Sequence, residues 1–272
     1  MSIITISRGS YSHGKEVAEK LAQKLGYECI SREVLLKASK QFNIPEIKLA
    51  QALHSAPSIF DRITFGKEKY VAYIRAALLN QAQKDNLVYH GLAGHFLLQS
   101  IPHVLKVNII ADLEDRVSEK MRRENLSADE ARKKLRKEDE GLRKWSQRLY
   151  GMDTWDPILY DLVIHIRSIT VDYAVEVISS VVKLPCFQAT SQSQKILDDM
   201  ALAARVQAAL VEEFPGATVT AKEGEVQVAV WGSGPEEKET IDRISRLARE
   251  AAGIEVEVAL AVEQVALVEL HA

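Results

Sequence analysis

The stretch GSYSHGKE, Gly9 to Glu16, follows a short β-branched run, Ile3 to Ser7, and precedes apolar residues at helical spacing, Val17, Leu21, Ala22 and Leu25. It fits the GxxxxGK core of a phosphate-binding loop. Placed between a strand and a helix, such a loop surrounds polyphosphate with the backbone N–H groups of Gly9, Ser10, Tyr11, Ser12, His13 and Gly14 and with the helix amino terminus. Lys15 supplies a point charge. The motif asks for Ser or Thr after the lysine, where a hydroxyl ligates magnesium; this chain has Glu16. Glu16 is read as a candidate metal ligand, with a solvated first-turn carboxylate favoured by the helix dipole as the equal alternative. His13 is either a phosphate contact or the occupant of a permissive position.

Outward from the loop, the helix ends at Gly26, and Tyr27 to Ile30 reads as a second strand. Helices follow around Glu33 to Gln41, Pro45 to His54 and Lys67 to Lys84. Leu87 to His90, Val104 to Ala111 and Leu162 to Ile166 are short apolar runs, as expected of strands buried on both faces of a parallel sheet. Five strands alternating with helices predict a three-layer α/β domain with a parallel sheet. His90 and His95 flank a glycine turn at a strand end and are read first as structural.

The whole chain has 272 residues and a net charge of -3, with 27% charged and 47% hydrophobic residues, which excludes a disordered, collagenous or broadly basic protein. No nucleic-acid partner is expected. No apolar run reaches the length of a membrane span, so neither a membrane partner nor a leader is expected, and a cytoplasmic location follows. Cys29 and Cys186 are too few for a disulfide framework and are read as reduced and structural. Residues 1–189 carry 28 basic and 23 acidic side chains, whereas 190–272 carry 7 and 15. The chain is therefore divided into a domain over 1–183, a linker over 184–193 (LPCFQATSQS) and a second domain over 194–272.

Between Asp112 and Gly151 arginines and lysines alternate with carboxylates, and Ser127 with Glu130 forms a capping box. One reading is a pair of exposed helices laced with ion pairs. The other is a mobile helical lid that brings Arg116, Arg122, Arg123, Arg143 and Arg148 to a migrating phosphoryl group and excludes water. Trp145, Tyr150 and Trp155 are read as packing within it.

The order of these segments, with YECISREVL (Tyr27 to Leu35), HVLKVNIIADLEDRV (His103 to Val117) and YDLVIHI (Tyr160 to Ile166), resembles the cytidylate kinase-like family of nucleoside monophosphate kinases. The resemblance implies ATP and Mg2+ at Gly9 to Glu16 and a monophosphate acceptor near Ser31, Arg32 and Glu33. It also implies a contact from Arg116 to the nucleotide and a lid over Arg122 to Arg148, with Lys15, Arg116, Arg122, Arg123 and Arg143 as the catalytic cations. Several positions depart from the family. Ser31 replaces an acidic residue, Leu92 replaces an arginine after Gly91, and Glu119-Lys120 replaces an Arg-Arg pair. Leu142 stands three residues after Asp139 where an arginine is expected, and His165-Ile166 replaces Asn-Thr. Each removes a polar or cationic group, which implies an altered acceptor. A non-catalytic nucleotide sensor, or a scaffold that binds no nucleotide, stands as the alternative.

In the last third, Ile196 to Phe214 has helical spacing up to Pro215-Gly216. Ala217 to Ala221 and Val226 to Val230 read as strands, Ile241 to Ala251 as a helix and Ile254 to Val262 as a strand, with a turn at Glu263 and Gln264. This αββαβ order predicts a small α+β domain. The run GEVQVAVWGSGPEEKETIDRISRLAREAAGIEVEVAL, Gly224 to Leu260, resembles a BON domain, which implies ligand binding or regulation. A sheet edge along Val256 to Leu267 would suit a homodimer.

Overall fold

The computed structural model describes residues 2–54, 68–91, 93–231, 237–254 and 256–261. Leu92, the turn at Glu263 and Gln264, and the edge beyond residue 261 lie outside the described residues. So do the side chains of residues 32, 51–54, 68, 231, 237 and 259–261. Two compact units, Met1–Gln194 and Lys195–Ala272, divide the chain. Within the stretch read as a linker, Pro185–Phe187 forms a single 3-10 turn and a helix already begins at Ser191.

The first unit is built on β1 (Ile3–Arg8), β2 (Glu28–Ile30), β3 (Leu87–His90), β4 (Val104–Ala111) and β5 (Leu162–Ile166). They form one sheet in the order β2-β3-β1-β4-β5, with every pairing parallel. Parallel neighbours need crossover connections, and helices supply them: α1 (Gly14–Leu25), α2 (Arg32–Phe42), α3 (Glu46–His54), α4 (Glu68–Ala82), α5 (Gly94–Leu97), α6 (Leu113–Glu124) and α7 (Ala128–Tyr150), while α8 (Val171–Val181) follows β5. Val17, Ala18, Leu21 and Ala22 of α1 and Ala174, Val175 and Ile178 of α8 pack on Ile4, Ile6, Leu105, Val107 and Ile164. Each such side chain contributes about 1.5–3 kcal/mol when fully buried. Gly26 ends α1 with φ 69°, a left-handed conformation available to glycine at no steric cost.

Along β1 the residues alternate between two faces. Ile6 lies opposite Val107 and belongs to the α1 core, while Ser7 lies opposite Asn108, which in turn lies opposite Val163. The row Ser7, Asn108, Val163 therefore floors the other face. The chain leaves β1 towards β3 and β2 on one side and continues to β4 and β5 on the other, so the loops after β1, β3 and β4 meet at the carboxyl ends of the strands, where open α/β sheets bind ligands.

α6 and α7 form the charged helical pair. The capping box of Ser127 and Glu130 starts α7: Ser127 accepts from Glu130 N, and the Glu130 carboxylate accepts from Ser127 N. The far end of α7 is fixed in the core. Trp145 is wholly buried beside Phe96 and Tyr150, with ring centroids 6.5 and 5.6 Å apart.

The second unit has the order α9 (Ser191–Leu210, which begins in the first unit), β6 (Thr218–Lys222), β7 (Glu225–Trp231), α10 (Glu237–Ala252) and β8 (Val256–Ala261). β6 pairs antiparallel with β7, and β7 parallel with β8. Glu223 and Gly224, both at positive φ, make the two-residue hairpin turn, and the Asp199 carboxylate accepts both of their N–H groups at 2.8 Å. Val226, Val228 and Val230 face Val206, Leu210, Ile244 and Ala248. Among the described residues no helix is long and apolar enough to cross a membrane.

Candidate functional site

The loop from Gly9 to Gly14 lies between β1 and α1, but its glycines serve a different purpose from the one the motif suggests. Positive φ falls on Tyr11 (62°) and His13 (65°), not on Gly9 or Gly14. Packing demands glycine at position 14 and makes a side chain tight at position 9. A Cβ on Gly14 would stand 2.6 Å from Cβ and Cδ of Arg8, and a Cβ on Gly9 would stand 3.2 Å from the Arg116 guanidinium. Left-handed backbone at a residue with a side chain costs about 1–2 kcal/mol. His13→Gly is therefore expected to raise stability by about 1 kcal/mol, read as an upward shift of the urea midpoint; an unchanged or lower midpoint would show that the His13 side chain stabilises the loop by more than its strain.

Three contacts hold the loop. Ser12, almost wholly buried, places its hydroxyl 2.9 Å from Gly9 O and 3.0 Å from Ile109 O. Arg116 Nε donates to Ser10 O at 2.8 Å while its two terminal nitrogens donate to Asp139 at 2.9 and 2.7 Å. Tyr11 donates to Glu124 at 2.5 Å and its ring carries Lys120 at 4.8 Å. That hydrogen bond is the first cause holding the Glu124 carboxyl at about 2. At the start of α1 the side chain of His13 caps nothing. Lys15 lies 3.6 Å from Glu19, both side chains more than half exposed. Glu16 pairs with Lys20 at 3.4 Å and with His13 at 3.5 Å.

The remaining sequence candidates are placed as follows. Glu33 accepts from Ser31 N at 2.7 Å, and backbone hydrogen bonds, its own N–H first, pull its carboxyl below the usual range. Arg32 opens α2. Arg122 and Arg123 both pair with Glu119 on an exposed face of α6, and Arg122 first among them holds Glu119 at about 2. Arg143 pairs with Asp153 at 2.5 Å and lies over Trp155 at 4.6 Å. Among the described residues no group of three or more His, Cys, Asp or Glu side chains could hold a metal ion. Both cysteines are free, and Cys186 is exposed on its 3-10 turn. Cys29 is half-buried, and desolvation pushes its thiol up to about 11.

A cavity of about 310 Å³ opens beside the loop. Its floor is the row Ser7, Asn108 and Val163; Arg8, Gly9 and Gly91 line it where the strands end, and Asp139 and Leu142 of α7 reach it from the charged pair. One wall is a closed hydrogen-bond chain. Ser7 Oγ is 2.7 Å from His95 Nδ1, His95 Nε2 is 3.4 Å from the Tyr160 hydroxyl, and Tyr160 donates to Thr154 O at 2.9 Å. A neutral imidazole protonated on Nε2 satisfies all three contacts. Burial holds His95 near 3 and His90 near 4, against 6.5 for a free imidazole. The unfolded chain therefore binds two protons below pH 6.5 that the folded chain refuses, so stability should fall as the pH drops from 6.5 towards 4 and be insensitive to these groups above 7. Urea midpoints at pH 7.5, 6 and 5, compared between wild type and His95→Gln, isolate the second imidazole. Identical slopes in the two proteins would show that His95 takes up its proton in the fold.

Residues 3–168 match the model of the cytidylate kinase-like family. The chain belongs to the cytidylate kinase-like family. It is 26% identical over 179 residues to a cytidylate kinase of Ignicoccus hospitalis, an alignment covering 65% of this chain and 97% of the relative. It is 31% identical over 186 residues to a cytidylate kinase of Archaeoglobus fulgidus, covering 66% and 94%. Among solved structures, an uncharacterised protein of Eubacterium ventriosum shares the fold with TM-score 0.51 and 20% identity, covering 67% of this chain and 98% of that one. The second unit lies outside the matched residues of this cytidylate kinase-like chain.

Sequence reasoning passed over Arg8, Ser7, Asn108 and Tyr160 in the site. Arg8 was visible as a charged residue at the end of an otherwise apolar strand. The others carry no motif, and only the strand register brings them together.

Proposed function

We propose that this chain is an ATP-dependent phosphotransferase of the nucleoside monophosphate kinase class with an altered acceptor. The observation that carries the reading is the loop Gly9 to Gly14 at the end of the central strand β1, opening into a helix whose first turn takes no side-chain cap. Uncapped N–H groups at a helix start suit phosphate oxygens, and Lys15 and Glu19 form an exposed pair that is cheap to break. Magnesium, which such enzymes hold chiefly through the nucleotide's phosphates with one or two carboxylates, fits a site offering Glu16 as a single carboxylate; when bound it neutralises charge on the phosphates. Arg122, Arg123 and Arg143 are held by partly or fully exposed, solvent-screened ion pairs, so each is free to exchange its carboxylate for a phosphoryl group. Ser31, Arg32 and Glu33 stand as acceptor contacts.

The second unit, on its αββαβ order, is assigned a BON-like role in ligand binding or dimerisation.

Calorimetric titration with ATP and magnesium, then with CMP, dCMP and other monophosphates beside a nonhydrolysable ATP analogue, tests the enzyme. Binding of ATP together with one monophosphate is expected. ATP without any acceptor would point to a nucleotide sensor, and no ATP binding would overturn the reading.

A further inference from the structure

The cavity holds a cation without a counter-charge. Arg8 ends β1 and lines the cavity, and its Nε is buried with no hydrogen-bond partner among the described residues. Desolvation pulls its guanidinium below the ordinary value, and the other group acting on it is Tyr89, not a carboxylate. Its position is not slack. The Arg8 stem runs under Gly14, where any Cβ would strike it, and the Tyr89 hydroxyl stands against Gly91 at the far side. The neighbouring Arg116 shows what a compensated cation looks like here, with two hydrogen bonds to Asp139 and one to Ser10. Arg8 is half-buried rather than enclosed, and a pinned guanidinium with no carboxylate beside it, its Nε buried and unpartnered, suits an anion that arrives from outside.

The rest of the cavity restricts what that anion is attached to. Ser7, His95, Tyr160 and Thr154 spend their hydrogen bonds on one another. Arg116 and Asp139 are paired with each other, and the Asn108 amide on the floor is the other polar group; the rest of the wall is apolar, Leu142, Phe96 and Trp145, with Ile110, Val163 and Trp155, each 40% exposed or more, at the open side. A nucleobase carries several donors and acceptors, and each left unpaired on burial weakens binding. A flat apolar body meets no such penalty. The volume, about 310 Å³, is at the small end of ligand pockets.

We propose that this cavity binds a compact phosphomonoester with a flat apolar body, its phosphate on Arg8 and its body against Val163, Ile110 and Leu142. That such a compound is the phosphoryl acceptor, placed here instead of at Ser31, Arg32 and Glu33, which do not line the cavity, rests on the phosphotransferase reading; that it binds does not.

The test is calorimetry on the full chain without ATP, using phenyl phosphate, inorganic phosphate and CMP as probes. Phenyl phosphate is expected to bind at least tenfold more tightly than either of the others. Arg8→Met should weaken phenyl phosphate about 30-fold and leave the melting temperature of the free protein unchanged or raised, because an uncompensated charge has gone. CMP binding more tightly than phenyl phosphate, or unchanged phenyl phosphate affinity in Arg8→Met, would overturn the proposal. So would a lowered melting temperature with retained binding, which would make Arg8 a structural strut. Should Arg8→Met not fold, Val163→Asn at the open wall gives the same decision: it must weaken phenyl phosphate and spare inorganic phosphate. ATP is titrated separately. Phenyl phosphate binding without ATP binding would sustain this site and remove the phosphotransferase reading; ATP binding without phenyl phosphate binding would do the reverse.

Discussion

Replacing Lys15 by alanine is expected to lower ATP affinity by about 100-fold, the loss of one or two charge-assisted hydrogen bonds at about 1.5–3 kcal/mol each, with almost no change in stability. The second half of the expectation follows from the free protein. Lys15 Nζ is 3.6 Å from Glu19, and the side chains are 62% and 56% exposed, so the pair is screened on both sides. A lysine that contributes little to the fold yet stands one residue inside the helix that opens from the loop has its use in what binds there. Calorimetric titration of ATP with magnesium into wild type and Lys15→Ala, beside their melting curves, gives both numbers. Unchanged affinity would sink the phosphate-loop assignment. A large drop in melting temperature would instead make Lys15 part of the scaffold, against its exposure.

Where burial on both faces fixed the pattern, the sequence was readable to the residue. Leu87–His90 and Val104–Ala111 are strands with the bounds their apolar runs suggested, because a parallel strand inside the sheet between two layers has little solvent side to blur its ends; Leu162–Ile166 also keeps its bounds, but as the edge strand it is not buried on both faces, Val163 and His165 being exposed. The αββαβ order of the second unit was readable for a related reason: strict alternation in Val226, Val228 and Val230 allows one covered face. The loop was readable as a location but not as a geometry. A glycine motif invites the inference that glycine is present for its torsion angles, and here the left-handed angles belong to Tyr11 and His13 while Gly9 and Gly14 make room for two arginines. That information is long-range, held in where Arg8 and Arg116 place their side chains, and no local pattern carries it. The cavity was not readable at all: Ser7, Asn108 and Val163 are far apart in sequence and adjacent only through register.

The charged helical pair offers the second large effect, at Asp139. Of the arginines read as closing a lid, Arg116 is buried, with its side chain 10% exposed against Asp139 at 14%, whereas Arg122 and Arg123 are 71% and 58% exposed. Arg116 therefore acts as a strap: from α6 it grips Ser10 O in the loop and Asp139 in α7. Asp139→Ala strands that guanidinium, and stability is expected to fall by about 3 kcal/mol, the usual cost of removing one partner from a buried pair. Removing both in Arg116→Met, Asp139→Leu replaces the pair by apolar volume and should recover most of that loss, since desolvation of two charges is no longer required. The double variant then separates stability from positioning. With stability restored but Ser10 O released, ATP affinity should remain below wild type if the strap sets the direction of the loop's N–H groups, and return to wild type if the strap serves the fold alone. Denaturant curves and ATP titrations on the three variants and wild type decide between them; a single Asp139→Ala loss below about 1 kcal/mol, the range of an exposed pair, would show that Arg116 has found another partner and that the strap is not what joins the charged helices to the loop.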